Sequence, residues 1–183
     1  ALPVPRSCTR TVELPPPSPA EQAALARMFR APAQAPTPAQ MPRLVKVKDD
    51  VYLIQNVNNT LGDIIRFGGN VTIFLTNEGV VLFDSKYAQM HDDIVAKVRS
   101  LTDKPIKYVV LTHSHADHSG GSARMEEMGA TVIISREDRE LMARAHMPGL
   151  PQVTYHGQAA RHLGGKEVLL DEFCGHTRGD TVA

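Results

Sequence analysis

The fold of this chain can be argued outward from ten consecutive residues, Thr112-His113-Ser114-His115-Ala116-Asp117-His118-Ser119-Gly120-Gly121. Three imidazoles and one carboxylate lie within six positions, and these are the donors that zinc, iron and manganese take from proteins. An apolar stretch, 106–111, precedes the segment, and a predicted helix follows it. A polar loop with chance histidines is the alternative, but the density of donors in a strand–loop–helix setting favours a metal site.

The spacing divides these donors into two groups. In an extended strand end, residues i and i+2 point the same way, so His113 and His115 are predicted to bind one metal ion. Asp117 and His118 lie further round the turn and are predicted to reach a second ion. Zinc takes about four ligands, so the first ion needs another protein ligand. His176 is the candidate, because it follows a predicted strand and its flanking glycines, Gly175 and Gly179, let the backbone turn.

Hydrophobic patterning around this segment alternates between strands and helices. Strands are predicted at 44–47, 51–55, 71–75, 80–83, 106–111, 131–134 and 168–170 and from 181 onward, with a hairpin joining 71–75 to 80–83. Helices are predicted at 19–30, 91–101, 119–128 and 136–146. Strands that alternate with helices predict an α/β fold in which helices cover a sheet.

The chain is predicted to have two parts. Residues 1–42 are rich in proline and alanine, which favours an extended arm with one short helix. Residues 43–183 form the predicted domain. Because the chain ends at Ala183 inside what reads as a beginning strand, we expect this domain to be incomplete at its C-terminal end.

Charge and composition narrow the class of partner. Lys plus Arg and Asp plus Glu are both 20, so the formal net charge is zero and nothing favours nucleic acid. No apolar run is long enough to span a bilayer. Cys8 and Cys174 are expected to be free thiols, although their pairing stays open. The chain begins at Ala1 without Met, which favours a secreted or periplasmic protein after signal cleavage; a cytoplasmic location stays open.

Residues 51–183 resemble the N-terminal half of the metallo-β-lactamase superfamily. The stretch 112–118 resembles its signature metal loop, and Gly175-His176-Thr177 resembles its next histidine motif. Asp84, which ends an apolar strand, resembles the family's first aspartate, a residue that supports the metal loop without binding metal. The resemblance implies a four-layer α/β/β/α sandwich with the metals at one edge, truncated here in its C-terminal half.

The resemblance also implies the ligand sets. His113, His115 and His176 would bind the first metal, and Asp117 and His118 the second. His118 is similar to the histidine of glyoxalase-type thioesterases, lactonases and one β-lactamase subclass. The family's later bridging Asp and final His have no counterparts before Ala183. Asp180 is too near His176 to be that Asp, so a loop-stabilising role is expected for it.

These residues suggest a metal-dependent hydrolase that uses a metal-bound hydroxide on an acyl substrate of β-lactam, lactone or thioester type. Asp117 would be catalytic, orienting the nucleophile and accepting its proton. Zinc, as one or two ions, is the expected cofactor, with iron or manganese as alternatives. Two other functions stay open. One is a catalytically silent metal-binding fragment, or a half-domain completed by a second copy or another chain. The other is a di-iron redox member of the superfamily.

The remaining histidines are expected on the surface: His91, His146, His156 and His162.

Overall fold

The computed structural model describes Ser18, Pro19 and residues 36–183. Most of the predicted arm, and nearly all of the helix predicted at 19–30, therefore lies outside the described residues. At its C-terminal end the arm forms a single 3-10 turn, Pro38–Gln40, before the first strand begins.

Within residues 36–183, seven strands form the larger sheet and follow one another across it in sequence order. They are Arg43–Lys48 (β1), Val51–Gln55 (β2), Val71–Leu75 (β3), Val80–Phe83 (β4), Ile106–Val110 (β5), Thr131–Ser135 (β6) and Val153–Tyr155 (β7). β1 to β4 are antiparallel, and β4 to β7 are parallel. The six strands predicted here and the β3–β4 hairpin are confirmed. β7 is not predicted, because three residues are too few to show alternation.

Residues 36–183 contain five α-helices: Leu61–Phe67 (α1), His91–Arg99 (α2), Ala116–Ser119 (α3), Ser122–Glu127 (α4) and Arg136–Arg144 (α5). α2 and α5 are confirmed. α1 is not predicted, because Gly62 in its first turn lowers the helix propensity. Its start is stabilised by Thr60, whose side chain accepts from the Asp63 amide.

The single helix predicted at 119–128 is wrong, since α3 and α4 are separated at Gly120 and Gly121. The Gly121 amide donates to the Lys86 carbonyl at 2.8 Å. A Cβ at Gly121 would collide with the Ser85 carbonyl oxygen. The break therefore lets the turn after β4 pack directly against the metal loop.

A second, antiparallel sheet of Gln158–Leu163 (β8), Lys166–Phe173 (β9) and Asp180–Val182 (β10) has the order β10-β9-β8. The strands predicted at 168–170 and from 181 are confirmed, and Gly164 and Gly165 turn between β8 and β9 with positive φ. β8 is not predicted, because its sequence, Gln-Ala-Ala-Arg-His-Leu, does not alternate between apolar and polar residues, and most of its positions are exposed.

Two apolar cores lie on opposite faces of the larger sheet, because successive side chains of a strand point to opposite faces. In β4, Val80 and Leu82 pack into the core that contains Ile94 of α2 and Met125 of α4. Val81 instead packs into the core with Leu163, Val168 and Leu170 of the small sheet. The described layers are thus helices, large sheet and small sheet. The outer face of the small sheet is exposed, with Leu169 57% and Phe173 36% accessible.

The cysteine expectation is wrong at Cys174. This residue follows β9, outside the strand, and is disulfide-bonded. The other cysteine of the chain, Cys8, lies outside the described residues.

No helix in the described residues has the length and hydropathy of a membrane span.

The residues of the predicted site lie together at one edge of the large sheet. β4, β5 and β6 are parallel, so their carboxyl ends lie at this edge. Asp84 follows β4, and the metal loop follows β5. The loop between β9 and β10 reaches the same edge, where the Thr181 amide donates to the Thr112 carbonyl at 2.7 Å.

Candidate metal centre

The loop after β5 is held in shape by its own hydrogen bonds. The amides of His118 and Ser119 donate to the His115 carbonyl, each at 2.9 Å, which starts α3 immediately after His115. The buried Ser119 hydroxyl contacts the Ser114 carbonyl at 2.9 Å and the His115 carbonyl at 3.0 Å. The tight turn therefore presents four donor side chains from only six residues.

The three-histidine group consists of His113, His115 and His176. One ring nitrogen from each of them lies within 4.8 Å of the other two. The His115 Nδ1 and His176 Nε2 atoms are 2.9 Å apart, in a hydrogen bond. A tetrahedral zinc ion with Zn–N of about 2.1 Å holds its ligand nitrogens about 3.4 Å apart. The donors therefore fit such an ion with small side-chain movements, and the proton between His115 and His176 would leave.

His176 is positioned by the loop between β9 and β10. The Asp180 carboxylate accepts hydrogen bonds from the backbone amides of His176 and Thr177, the latter at 2.9 Å. Gly175 lies so close that a Cβ there would be 2.6 Å from Asp180 Oδ2. Asp180 thus has the loop-stabilising contacts predicted for it.

Asp117 and His118, here called the Asp–His pair, lie beside the three-histidine group. His118 Nε2 is 3.2 Å from Asp117 Oδ2. The ring centroids of His118 and His113 are 4.1 Å apart. The structure therefore brings all five of the predicted ligand residues to one place, in two adjoining groups.

Asp84 supports both groups, in line with the role that the resemblance implies. Its Oδ1 accepts from the Thr112 amide at 2.7 Å, and its Oδ2 contacts the Thr112 hydroxyl at 2.9 Å and His118 Nδ1 at 2.7 Å. The hydroxyl has one proton, which it donates to Asp84. Its 3.0 Å contact with His113 Nδ1 therefore has the ring as donor. Both His113 and His118 consequently turn Nε2 toward the metal centre.

The two groups hold protons differently. Burial, followed by the positive charge of His118, lowers the pKa of His113 to about 4. Burial, followed by the charge of His176, also lowers the pKa of His115. Burial disfavours the charged form of His118 too, but hydrogen bonds to Asp117 and Asp84 outweigh it and raise its pKa to about 9. At neutral pH without metal, His113 and His115 are neutral, whereas His118 is an imidazolium between two carboxylates.

Asp138 was not predicted from the sequence as a residue of the site. It is fully buried at the start of α5, and burial raises its pKa. Its Oδ2 lies 2.8 Å from the Thr177 hydroxyl, and its Oδ1 lies 3.5 Å from the Ser114 hydroxyl. Asp138 thus links the loop of His176 to the loop of His113 and His115. The pattern Ser135-x-x-Asp138 is a helix-start signal, but it does not reveal these partners.

The other histidines lie away from the centre. His146 is exposed. The side chain of His156, in the turn between β7 and β8, is 64% accessible, and that of His162, in β8, is 75% accessible. The surface placement expected for His91 is wrong, since it is only 8% exposed. It is the first residue of α2 and follows directly after the 3-10 turn Ala88–Met90.

The fold and the site together define a class: an α/β/β protein with a group of histidines that could hold a metal ion, at the edge of the large sheet where its parallel strands end. Residues 64–176 match the sequence profile of the metallo-beta-lactamase superfamily. The chain belongs to this superfamily.

Individual relatives agree with this assignment. The chain is 24% identical over 132 residues to a type 2 metallo-beta-lactamase of Elizabethkingia meningoseptica, a match that covers 68% of this chain and 49% of the relative. It is 28% identical over 97 residues to a flavo-diiron protein of Clostridium acetobutylicum, covering 49% of this chain and 24% of the relative.

A solved structure shows the same fold. The class B3 di-zinc metallo-beta-lactamase from an Alaskan soil metagenome superposes with a TM-score of 0.62 at 18% identity, over 83% of this chain and 60% of that one. The chain spans about half the length of the beta-lactamase of Elizabethkingia and about a quarter of the flavo-diiron protein.

Proposed function

We propose that this chain carries the metal centre of a zinc-dependent hydrolase acting on acyl compounds of β-lactam, lactone or thioester type. The observation that carries the proposal is the convergence of three histidine nitrogens within 4.8 Å, next to the Asp–His pair. The relatives named as metallo-beta-lactamases support hydrolysis.

In this proposal His113, His115 and His176 hold one ion, while Asp117 and His118 hold a second. A bound zinc ion lowers the pKa of water to about 7 and polarises a carbonyl group. Asp84 keeps Nε2 of His113 and His118 directed at the ions through the contacts described above. Asp180 keeps the His176 backbone in place.

Asp117 is the proposed catalytic residue. Burial raises the pKa of its carboxyl, but the hydrogen bond and charge of His118 outweigh this and lower it below the usual value. The carboxylate is therefore ionised at neutral pH. It can orient an attacking water toward the substrate carbonyl and take up its proton.

A di-iron redox protein is the second candidate, and the match to a flavo-diiron protein favours it. The donor set argues for zinc, because four of the five ligands proposed are imidazoles, and di-iron sites of the carboxylate class take more carboxylates. Purification from cells supplied with both metals, followed by metal analysis, separates the two. Zinc as the main metal supports the hydrolase, whereas iron with a reducible absorption band supports the redox protein.

The Cys174 disulfide bears on location. Disulfides persist in oxidising compartments, so this bond supports the proposed periplasmic or secreted location.

The test of function combines metal content with turnover. The zinc-loaded chain is assayed on a chromogenic cephalosporin, an acyl-homoserine lactone and a thioester. The His115→Ala variant should lose one ion and turnover, whereas His162→Ala, altered at an exposed histidine of β8, should keep both. Equal turnover in His115→Ala would contradict the proposal. Two bound ions with no turnover on any of the substrates would indicate a catalytically silent metal-binding protein.

A further inference from the structure

Lys86 is the largest fully buried side chain of the described residues, with no accessible surface. It lies in the turn after β4, two residues beyond Asp84, and its backbone has a φ of +54°. Left-handed backbone is uncommon outside glycine, and a buried ammonium is unfavourable unless all its protons are bonded. Two unfavourable features at one position suggest a specific role for this lysine.

The Lys86 ammonium has three oxygen partners. Nζ donates to Asn56 Oδ1 at 3.0 Å, to the Gly68 carbonyl at 3.4 Å and to the Gly69 carbonyl at a shorter distance. Asn56 completes the network, because its Nδ2 donates to the same Gly68 carbonyl at 2.8 Å. Gly68 caps the C-terminus of α1, where the carbonyls have no partner within the helix and a cation is favourable.

The Gly68–Gly69 turn lies against the Asp–His pair. The Gly69 amide donates to the Asp117 carbonyl at 2.8 Å. A Cβ on Gly69 would lie 2.5, 2.8 and 3.0 Å from three atoms of the His118 ring, so the glycine backbone lies directly on this imidazole. A Cβ on Gly68 would lie 2.6 Å from the Asp117 carbonyl oxygen.

The turn that contains Lys86 contacts the pair from another side. Asp84 bonds His118 Nδ1, and the Ser85 amide donates to the His118 carbonyl at 2.7 Å. Burial lowers the pKa of Lys86 to about 8, so it is still an ammonium at neutral pH. One short turn after β4 thus reaches His118 directly through Asp84 and Ser85, and indirectly through Lys86 and the glycines.

We infer that Lys86 is a positioning residue for the second metal ion, because its buried ammonium holds the Gly68–Gly69 turn against Asp117 and His118. The inference rests on the proposed function, which assigns a second ion to this pair. Within residues 36–183, His113, His115 and His176 make no hydrogen bond to the Gly68–Gly69 turn. Loss of the ammonium should therefore affect the second ion more than the first.

The experiment compares Lys86→Met with Lys104→Met in the full chain. Methionine keeps the unbranched stem of the side chain and removes the ammonium with all its donors. Lys104 is a matched control, since its Nζ also donates to a main-chain carbonyl, that of Thr76, at 3.0 Å. Metal-free protein is titrated with Co²⁺, and both equivalents are followed by visible absorption and equilibrium dialysis.

In Lys86→Met we expect the second equivalent to bind about 10- to 100-fold more weakly, as for other losses in the support of metal ligands, with the first nearly unchanged. Lys104→Met should bind both as the wild type does. A general loss of stability would weaken both equivalents alike, so the difference between them identifies positioning.

Hydrogen exchange in the metal-free protein provides a readout that does not depend on a second ion. The Gly69 amide, bonded to the Asp117 carbonyl, should be protected in the wild type and exchange at least about 10-fold faster in Lys86→Met. The Thr76 amide, bonded to the Gly79 carbonyl, should be unchanged. If the wild type takes up only one ion, the two-ion proposal fails, while this exchange result still decides whether Lys86 holds the turn.

If Lys86→Met does not fold, Asn56→Ala is measured in the same way, because it removes one partner of the ammonium and one of the Gly68 carbonyl. The expected loss for the second equivalent is then about 10-fold. Unchanged second-ion affinity together with a protected Gly69 amide, in either folded variant, would overturn the inference.

Discussion

The three-histidine group and the Asp–His pair adjoin one another but are held by different means. The three-histidine group joins two loops separated by 61 positions in sequence, and a hydrogen bond links His115 to His176. The Asp–His pair comes from two consecutive residues and is enclosed by Asp84 on one side and Gly69 on another. The three-histidine group thus depends on the packing of the two sheets, whereas the Asp–His pair depends on one loop and on its contacts with Asp84 and Gly69.

The histidines of the two groups also differ in protonation. Burial leaves His113 and His115 neutral, so these nitrogens need to lose few protons before they bind a metal. His118 is protonated between two carboxylates and must release that proton first. Under the proposed function, the three-histidine group would therefore bind its ion with little competition from protons, whereas a proton would compete with the second ion at the Asp–His pair.

The largest effect is expected from removing the ligand that the distant loop supplies. His176→Ala should weaken the first metal equivalent by more than about 100-fold, beyond what changes around a metal ligand cause. The stability of the metal-free protein should change by no more than about 0.5 kcal/mol, since His176 is exposed. Equilibrium dialysis and urea unfolding measure the two quantities. Tight binding of a first ion in this variant would show that the histidines do not act as a group.

Asp84→Asn tests the support of the pair. The amide cannot accept hydrogen bonds from both Thr112 and His118 as the carboxylate does, so Nε2 of His118 loses its orientation. We expect the second metal equivalent to weaken by about 10- to 100-fold and the first by less. Cobalt titration measures both. Asp92→Asn, altered at a carboxylate with 82% accessible surface, should change neither.

The pH dependence of stability should have opposite signs in the two groups when metal is absent. The pKa of His118 is raised from 6.5 to about 9, so its contribution to the free energy of unfolding is complete below pH 6.5 and is lost as pH rises through 9. The pKa of His113 is lowered to about 4, so stability is lost as pH falls from 6.5 to 4.

Urea unfolding in a chelator tests these signs. The difference in unfolding free energy between wild type and His118→Gln should shrink by about 1–2 kcal/mol from pH 6 to pH 9.5, a discounted value because the side chain is 24% exposed. The difference between wild type and His113→Gln should grow from pH 4 to pH 6.5. The same sign for both histidines would remove the distinction between the groups.

The smallest effect is expected at the loop of His176. Asp180→Asn keeps one acceptor oxygen for the amides of His176 and Thr177, so the loop should loosen without opening. The first metal equivalent should weaken by up to about 10-fold, the low end for changes outside the ligands themselves. The second should not change. A larger loss at the second equivalent would show that the two groups are coupled through this loop.

Much of the fold was open to prediction because strands β2 to β6 and helices α2 and α5 carry regular apolar periodicity. β7, β8 and α1 could not be predicted, because none of them shows a clear apolar period. β7 has only three residues, β8 is mostly exposed and α1 contains Gly62. The break between α3 and α4 also escaped, since it arises from the approach of the turn after β4 to Gly121. Cys174 and His91 were misread for the same reason, because pairing and burial are set by distant residues.

The sequence by itself determined the metal loop, because the donors of residues 113–118 are brought together by one strand end and one helical turn. It also indicated His176 and Asp84, but only through resemblance and local pattern. The tertiary structure decided that these residues meet, that Asp138 links the two ligand loops and that Lys86 is buried among the carbonyls at the end of α1. The physical reason is range: local spacing orients side chains a few residues apart, whereas contacts across 30 or 61 positions exist only once the layers have packed.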